Sequence, residues 1–299
     1  MSLLAALATW QFEPLVAAPA AVLALGYLAA ARRRGRPRRA PGSRRVRRYA
    51  GWELRGEAAR RRPARPWPAV RTLAFLGGLG VLTVATQGWV GVYDDTSLAD
   101  HMVQHLLLIM VAPPLLIAGR PVTLLLHTVR NPWHTRVKRV VRSRLVAALT
   151  WPPSGLVLYS AAVLGTHLTG LLLARGAAHD AEHLLYVVAG YVFFLPVIGS
   201  EPVRWRVPAL GRYLLLLAAM PADIATGAVF MLHGPLGPYG GADVRAAGVI
   251  MLAGGDLIMT GLAVWLAAAA LARRTRHPAR LADLAAYNAY LASLEAPEA

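Results

Sequence analysis

Apolar stretches of membrane length recur along the chain, separated by short polar segments whose charge changes sign from one to the next. Seven are legible, at about 14–31, 70–89, 101–119, 145–173, 179–198, 209–231 and 244–270. An apolar run of about 18–20 residues is what a helix needs to cross a hydrocarbon core of about 30 Å. Backbone polar groups in lipid must be satisfied within the segment, so runs of this length predict helices. The expected fold class is all-α, a polytopic membrane protein built as a bundle of seven transmembrane helices.

Orientation follows from the segments between the runs. Residues 32–71 hold sixteen arginines against two glutamates, and residues 120–144 hold six arginines and one lysine. Arg204, Arg206 and Arg212 follow the fifth run, and Arg273, Arg274 and Arg276 follow the last. Residues 90–100 instead carry Asp94, Asp95 and Asp100 with no Lys or Arg. Basic loops stay in the cytoplasm, so the N-terminus is expected outside and the C-terminus cytoplasmic. Glu13 precedes the first run where a secretory signal would carry basic residues, which reads as a retained anchor. The expected organisation is an N-terminal segment with the first transmembrane helix (1–31), an Arg-rich cytoplasmic loop (32–69), a six-helix membrane core (70–272) and a cytoplasmic amphipathic tail (273–299). Short helices are expected near 52–62, at 280–299, and at 121–129 as a re-entrant or interfacial piece. Pro152-Pro153 marks the inner end or a kink of the fourth run.

Composition changes this picture in two places. The net charge of +17 is concentrated in loops beside membrane spans, so it reads as positive-inside charge touching anionic lipid rather than as a nucleic-acid surface. The chain has no cysteine. That excludes disulfides, a redox CxxC and thiolate ligation, leaving imidazole, carboxylate or thioether for any metal.

The histidines then sort by depth. His101 and His105 stand four apart in the first turns of the third run, and His179 and His183 repeat the spacing in the fifth. His167 lies near the outer end of the fourth run, and His233 just past the outer end of the sixth. Pairs at i,i+4 share a helix face, and imidazoles in a membrane helix are costly without a partner. The layer therefore reads as a metal site of His101, His105, His167, His179 and His183, suited to copper, zinc or iron; a structural polar cluster and a proton relay are the alternatives. Met102, Met231 and Met251 are thioethers within reach that serve equally well as packing. Glu182 can hold an imidazole in one tautomer. Asp100 and Asp243 stand at helix N-termini, where capping is the simpler role. Asp223 and Asp256 lie deep in their spans and need a partner or a proton.

Several of these stretches resemble a known family. His101-Met102-Val103-Gln104-His105 with Leu106–Leu108, then Ala112-Pro113-Pro114-Leu115-Leu116 and Gly119-Arg120-Pro121, are similar to CtaG-like (caa-type) cytochrome c oxidase assembly factors. So are His179-Asp180-Ala181-Glu182-His183-Leu184-Leu185, Gly190, and Phe194-Leu195-Pro196-Val197-Ile198-Gly199. His167, Asp243, Gly248–Met251, Gly254-Gly255-Asp256-Leu257 and Tyr287–Leu291 fit as well, although Arg245 replaces an expected glutamine. The resemblance runs from about Trp67 onward and leaves the arginine loop unmatched. It implies a multi-pass factor of the bacterial plasma membrane serving the respiratory chain. It would not be an enzyme but would bind copper, with zinc as the lesser alternative, and supply it to a haem-copper oxidase subunit. An extracytoplasmic copper donor is a further implied partner. Two other readings stay open: an intramembrane zinc hydrolase, since His179-x-x-Glu182-His183 has inverted-zincin spacing, and a metal or proton transporter using Asp223, Asp256 and the histidines.

Overall fold

A computed structural model of the chain describes residues 9–35, 66–169 and 176–272. The helices expected at 52–62 and 280–299 fall outside them. The described residues form α1 (Pro14–Gly35), α2 (Ala69–Gln87), α3 (Trp89–Tyr93), α4 (Leu98–Leu106), α5 (Ala112–Ala118), α6 (Pro121–Thr128), α7 (Trp133–Val141), α8 (Arg144–Leu149), α9 (Pro152–His167), α10 (Ala177–Ile198), α11 (Ala209–Leu232), α12 (Gly241–Val249) and α13 (residues 255–272). Single π-turns, Leu107–Val111 and Ile250–Gly254, join α4 to α5 and α12 to α13.

Among the described residues, six helical stretches are long and apolar enough to cross a membrane: Val16–Arg34, Ala69–Tyr93, Leu98–Thr128, Ala177–Ile198, Ala209–Leu232 and Gly241–Ala272. The fourth expected span, 145–173, is divided within its described residues. Pro152 and Pro153 lack the N–H that would continue α8, so the chain breaks at Thr150-Trp151 and restarts as α9. The sixteen residues of α9 cover about 24 Å. The apolar stretch after Gly119 is helical as expected (α6), set off from α5 by Arg120 in the left-handed region at φ 55°. Glu201 caps it, accepting from the Val122 and Thr123 backbone N–H groups at 2.9 and 3.0 Å. Burial pushes the Glu201 carboxyl above its ordinary range despite these bonds.

Proline also explains the first π-turn. Pro113 and Pro114 cannot donate, and the i→i+5 pattern just before them absorbs the fault. At that turn α10 comes in close. A Cβ on Gly190 would sit 2.1 Å from the Ile109 carbonyl oxygen, so only glycine lets the two backbones meet. Gly227 and Gly248 do the same for α11 and α12: a Cβ on either would sit 2.8 or 2.7 Å from the other's carbonyl oxygen.

The main core lies beneath the histidines and contains Tyr159, Phe193, Phe194, Phe230 and Met110. A second cluster ties α1 to the bundle: Tyr27 stacks on Phe75 at 4.1 Å, donates to the Gly119 carbonyl and accepts from the Trp67 indole. The opposite face of α1 leaves apolar side chains exposed, Val22, Leu23 and Leu25 among them, as a helix edge bathed in lipid requires.

Candidate metal centre

Helix α4 begins under tight control. Ser97 caps it by accepting from the Asp100 N–H, and Asp243 of α12 accepts from the Leu98 and Ala99 N–H groups at 2.7 and 3.1 Å. A carboxylate at the positive end of a helix satisfies donors that would otherwise be orphaned. Asp243 thus fixes the rotation of α4, and with it His101 and His105, instead of facing a metal. Across from them, His179, Glu182, His183 and Tyr186 fall at i, i+3, i+4 and i+7 of α10, on one stripe. The rings meet: His101 lies 4.1 Å from His105 and 5.2 Å from His179, and His179 lies 4.2 Å from His183, between centroids.

Hydrogen bonds assign the protonated ring nitrogen of His105, His167, His179 and His183 in their neutral forms. The Val163 carbonyl at 2.7 Å can only accept, so His167 Nδ1 carries the proton and Nε2 accepts from His105 Nδ1 at 3.0 Å. His105 Nε2 is left with a bare lone pair, 3.9 Å from Glu182 Oε1. Gln104 donates its amide to the Ala85 carbonyl and to Asp94, both at 2.9 Å, so its oxygen accepts from His183 Nε2 at 3.0 Å. His179 Nε2 donates to Asp94 at 3.2 Å, leaving Nδ1 at 3.7 Å from Glu182 Oε2. Burial alone would push the Asp94 carboxyl up, but the bonds from His179 and Gln104 outweigh it and hold it below the usual carboxylate range.

Among the described residues, all but two of the atoms left over point to one place, the exceptions being Gln87 Nε2 and Asp256 Oδ1. Both ring nitrogens of His101, His105 Nε2, His179 Nδ1 and both oxygens of Glu182 are buried without a hydrogen-bond partner. Such atoms are rare in a folded interior and costly to leave unmatched. His101, His105 and Glu182 bring ligand atoms within 4.8 Å of one another, and Asp94, His179 and His183 do so separately. Of the expected residues, His167 orients His105 rather than presenting a free nitrogen. His233 is exposed beyond α11, Met231 is 44% exposed, and Met102 and Met251 pack in the main core. Asp223 takes the Tyr159 hydroxyl at 3.1 and 3.2 Å, and Tyr159 is eight residues, about 12 Å, below His167 on α9. Asp256 follows Gly255, at which a Cβ would stand 3.4 Å from that of Asp223. The deep carboxylates therefore form their own group. Asp94, Gln104 and Tyr186 escaped the sequence reading. Gln104 shares the face-to-face logic of the histidine motif, whereas nothing local marked Asp94 among the acids of its loop.

Taken together, these elements define a polytopic helical protein with a buried imidazole–carboxylate cluster at one end of its bundle. The chain belongs to the cytochrome c oxidase caa3 assembly factor (CtaG) family, whose sequence profile matches residues 49–273. Uncharacterized proteins of Mycobacterium bovis and Mycobacterium tuberculosis are each 30% identical over 238 residues, 75% of this chain and 32% of theirs. One of Mycobacterium leprae is 28% identical over 235 residues, 74% of this chain and 31% of its own. The chain thus spans about a third of the length of the curated relatives it matches. No solved structure matches it.

Proposed function

We propose that the protein binds copper at the cluster of His101, His105, His179 and Glu182 and supplies it, from the extracytoplasmic side of a bacterial plasma membrane, to a haem-copper oxidase during assembly. The observation that carries this reading is the convergence of unpartnered buried lone pairs from two helices, with His105 Nδ1, His179 Nε2, His183 Nε2 and both nitrogens of His167 committed to orienting bonds. Imidazole and carboxylate donors without thiolate suit copper or zinc, and orienting partners behind each ligand are what a metal site requires. Family membership supports the oxidase as the destination. Positive loops at the opposite end of the bundle support the outward-facing orientation.

Elemental analysis of detergent-purified protein tests the reading. Wild type retains copper, and His101→Ala/His105→Ala loses it while remaining in the membrane fraction. Equal copper in both would sink this site. Zinc, together with a hydrolytic activity lost in Glu182→Gln, would instead favour the hydrolase. The geometry speaks against that option, because the HxxEH stretch is divided: Glu182 faces His101 and His105, while His183 turns toward Gln104 and Asp94.

A further inference from the structure

A cavity of about 690 Å³ opens beside the cluster, walled by α1, α2 and α10. Asp94, His179 and His183 line it, whereas His101, His105 and Glu182 do not. Its rim carries Glu13, Asp95 and Asp180 besides Asp94, and among the described residues no lysine or arginine lines it. In a chain of net charge +17, that is a local reversal of sign, and a cleft of one sign concentrates the opposite ion. One wall is supplied by α1, which lies outside the family match at 49–273. Gln11 ties the start of α1 over the cavity, its backbone N–H donating to the Gln87 carbonyl at 2.8 Å and its amide to the Thr86 and Gly91 carbonyls at 3.1 and 3.0 Å.

Resting on the copper reading above, we infer that Asp94, His179 and His183 form a second, receiving cation site on this vestibule, from which the ion passes to the buried site across His179. The ring of His179 faces both compartments, with Nε2 toward Asp94 and Nδ1 toward Glu182. In the outer position the ion takes the Nε2 lone pair, and the ring's single proton sits on Nδ1, donating to Glu182. In the inner position the ion takes Nδ1, and the proton sits on Nε2, donating to Asp94. The ring carries one proton in each position: as the ion moves in, the Nδ1 proton is released through Glu182 to solvent and Nε2 takes one up from solvent in the vestibule, so no net proton is gained or lost and no electron is transferred. The step is short: His101, which begins the inner site, is 5.2 Å from His179 between ring centroids. The first span thereby becomes a wall of the loading route as well as an anchor.

Copper(I) uptake by the purified full chain, followed against a chromophoric chelator, tests this. Wild type shows a fast and a slow class of site. Asp94→Asn loses the fast class and fills the slow one about tenfold more slowly, to the same final occupancy. Ala20→Trp, on the α1 wall and not itself a ligand, plugs the vestibule and slows both classes without changing final occupancy. His101→Ala/His105→Ala keeps the fast class while free copper is present, loses the slow one, and so retains no copper through purification. Loading at the wild-type rate in both Asp94→Asn and Ala20→Trp would overturn the vestibule route while leaving the copper reading intact. A wild type that takes up no copper would overturn the copper reading itself.

Discussion

Gln104 is a residue through which the histidine cluster is ordered. It is fully buried, its amide hydrogens are committed to the Ala85 carbonyl and to Asp94, and its oxygen holds His183. Leucine fills nearly the same volume and severs all three bonds. Gln104→Leu is expected to lower copper affinity about 10- to 100-fold in a chelator competition, with the protein still purifying as a folded species. Wild-type affinity in that variant would show that His183 and Asp94 need no such support. At this scale the four paired histidines were legible, because i,i+4 spacing alone places two rings on one face. The role of His167 was not. Its Nδ1 proton is assigned by the Val163 carbonyl one turn earlier, and its Nε2 then serves His105, which lies 62 positions away in sequence.

Helices bring these residues to register through close backbone approach. The crossing of α10 over the π-turn at Leu107–Val111 depends on Gly190, whose missing Cβ leaves room for the Ile109 carbonyl. Alanine there must push α10 away from the helix that carries His101 and His105. Gly190→Ala is expected to cost about 1–3 kcal/mol of stability and to weaken copper binding together with it. Thermal unfolding in detergent and a copper titration check both effects. Gly165→Ala is the control, since a Cβ at Gly165 meets nothing within 4 Å and should change neither. Unaltered stability and copper binding in Gly190→Ala would mean that the π-turn relaxes to accept it. At this scale too, Pro152-Pro153 break the fourth run where the sequence places its inner end or a kink, and the described helix that follows is sixteen residues long.

For the whole molecule, the governing contrast is between an apolar flank and two ends of opposite character. Val70, Leu73, Leu210 and Leu257 are among the large apolar side chains left exposed on the flank, which in water would be a liability and in lipid is the solvated face. The histidine end carries the acidic vestibule. Arginine ends α1 at Arg32, Arg33 and Arg34, and Arg136, Lys138 and Arg139 lie along α7. Because the chain has no cysteine, single-cysteine variants report orientation without background. Asp95→Cys is expected to react with a membrane-impermeant maleimide in intact cells, and Arg136→Cys only after permeabilisation. The reverse labelling would place the cluster on the cytoplasmic face and remove the extracytoplasmic delivery route.

The sequence by itself determined the helical membrane class, the paired histidines and their common depth, because these depend on run length, helical period and loop charge, all of which are local. It also carried the family resemblance, through the two histidine stretches. Only the tertiary structure decided which nitrogens are free, that Asp94 and Gln104 join the cluster, that Asp243 caps the helix carrying His101, and that Asp223 pairs with Tyr159 instead of a histidine. Each of those contacts crosses between helices. Which partner a buried polar group finds depends on how the helices rotate and how closely glycine lets them approach, and no single helix encodes that.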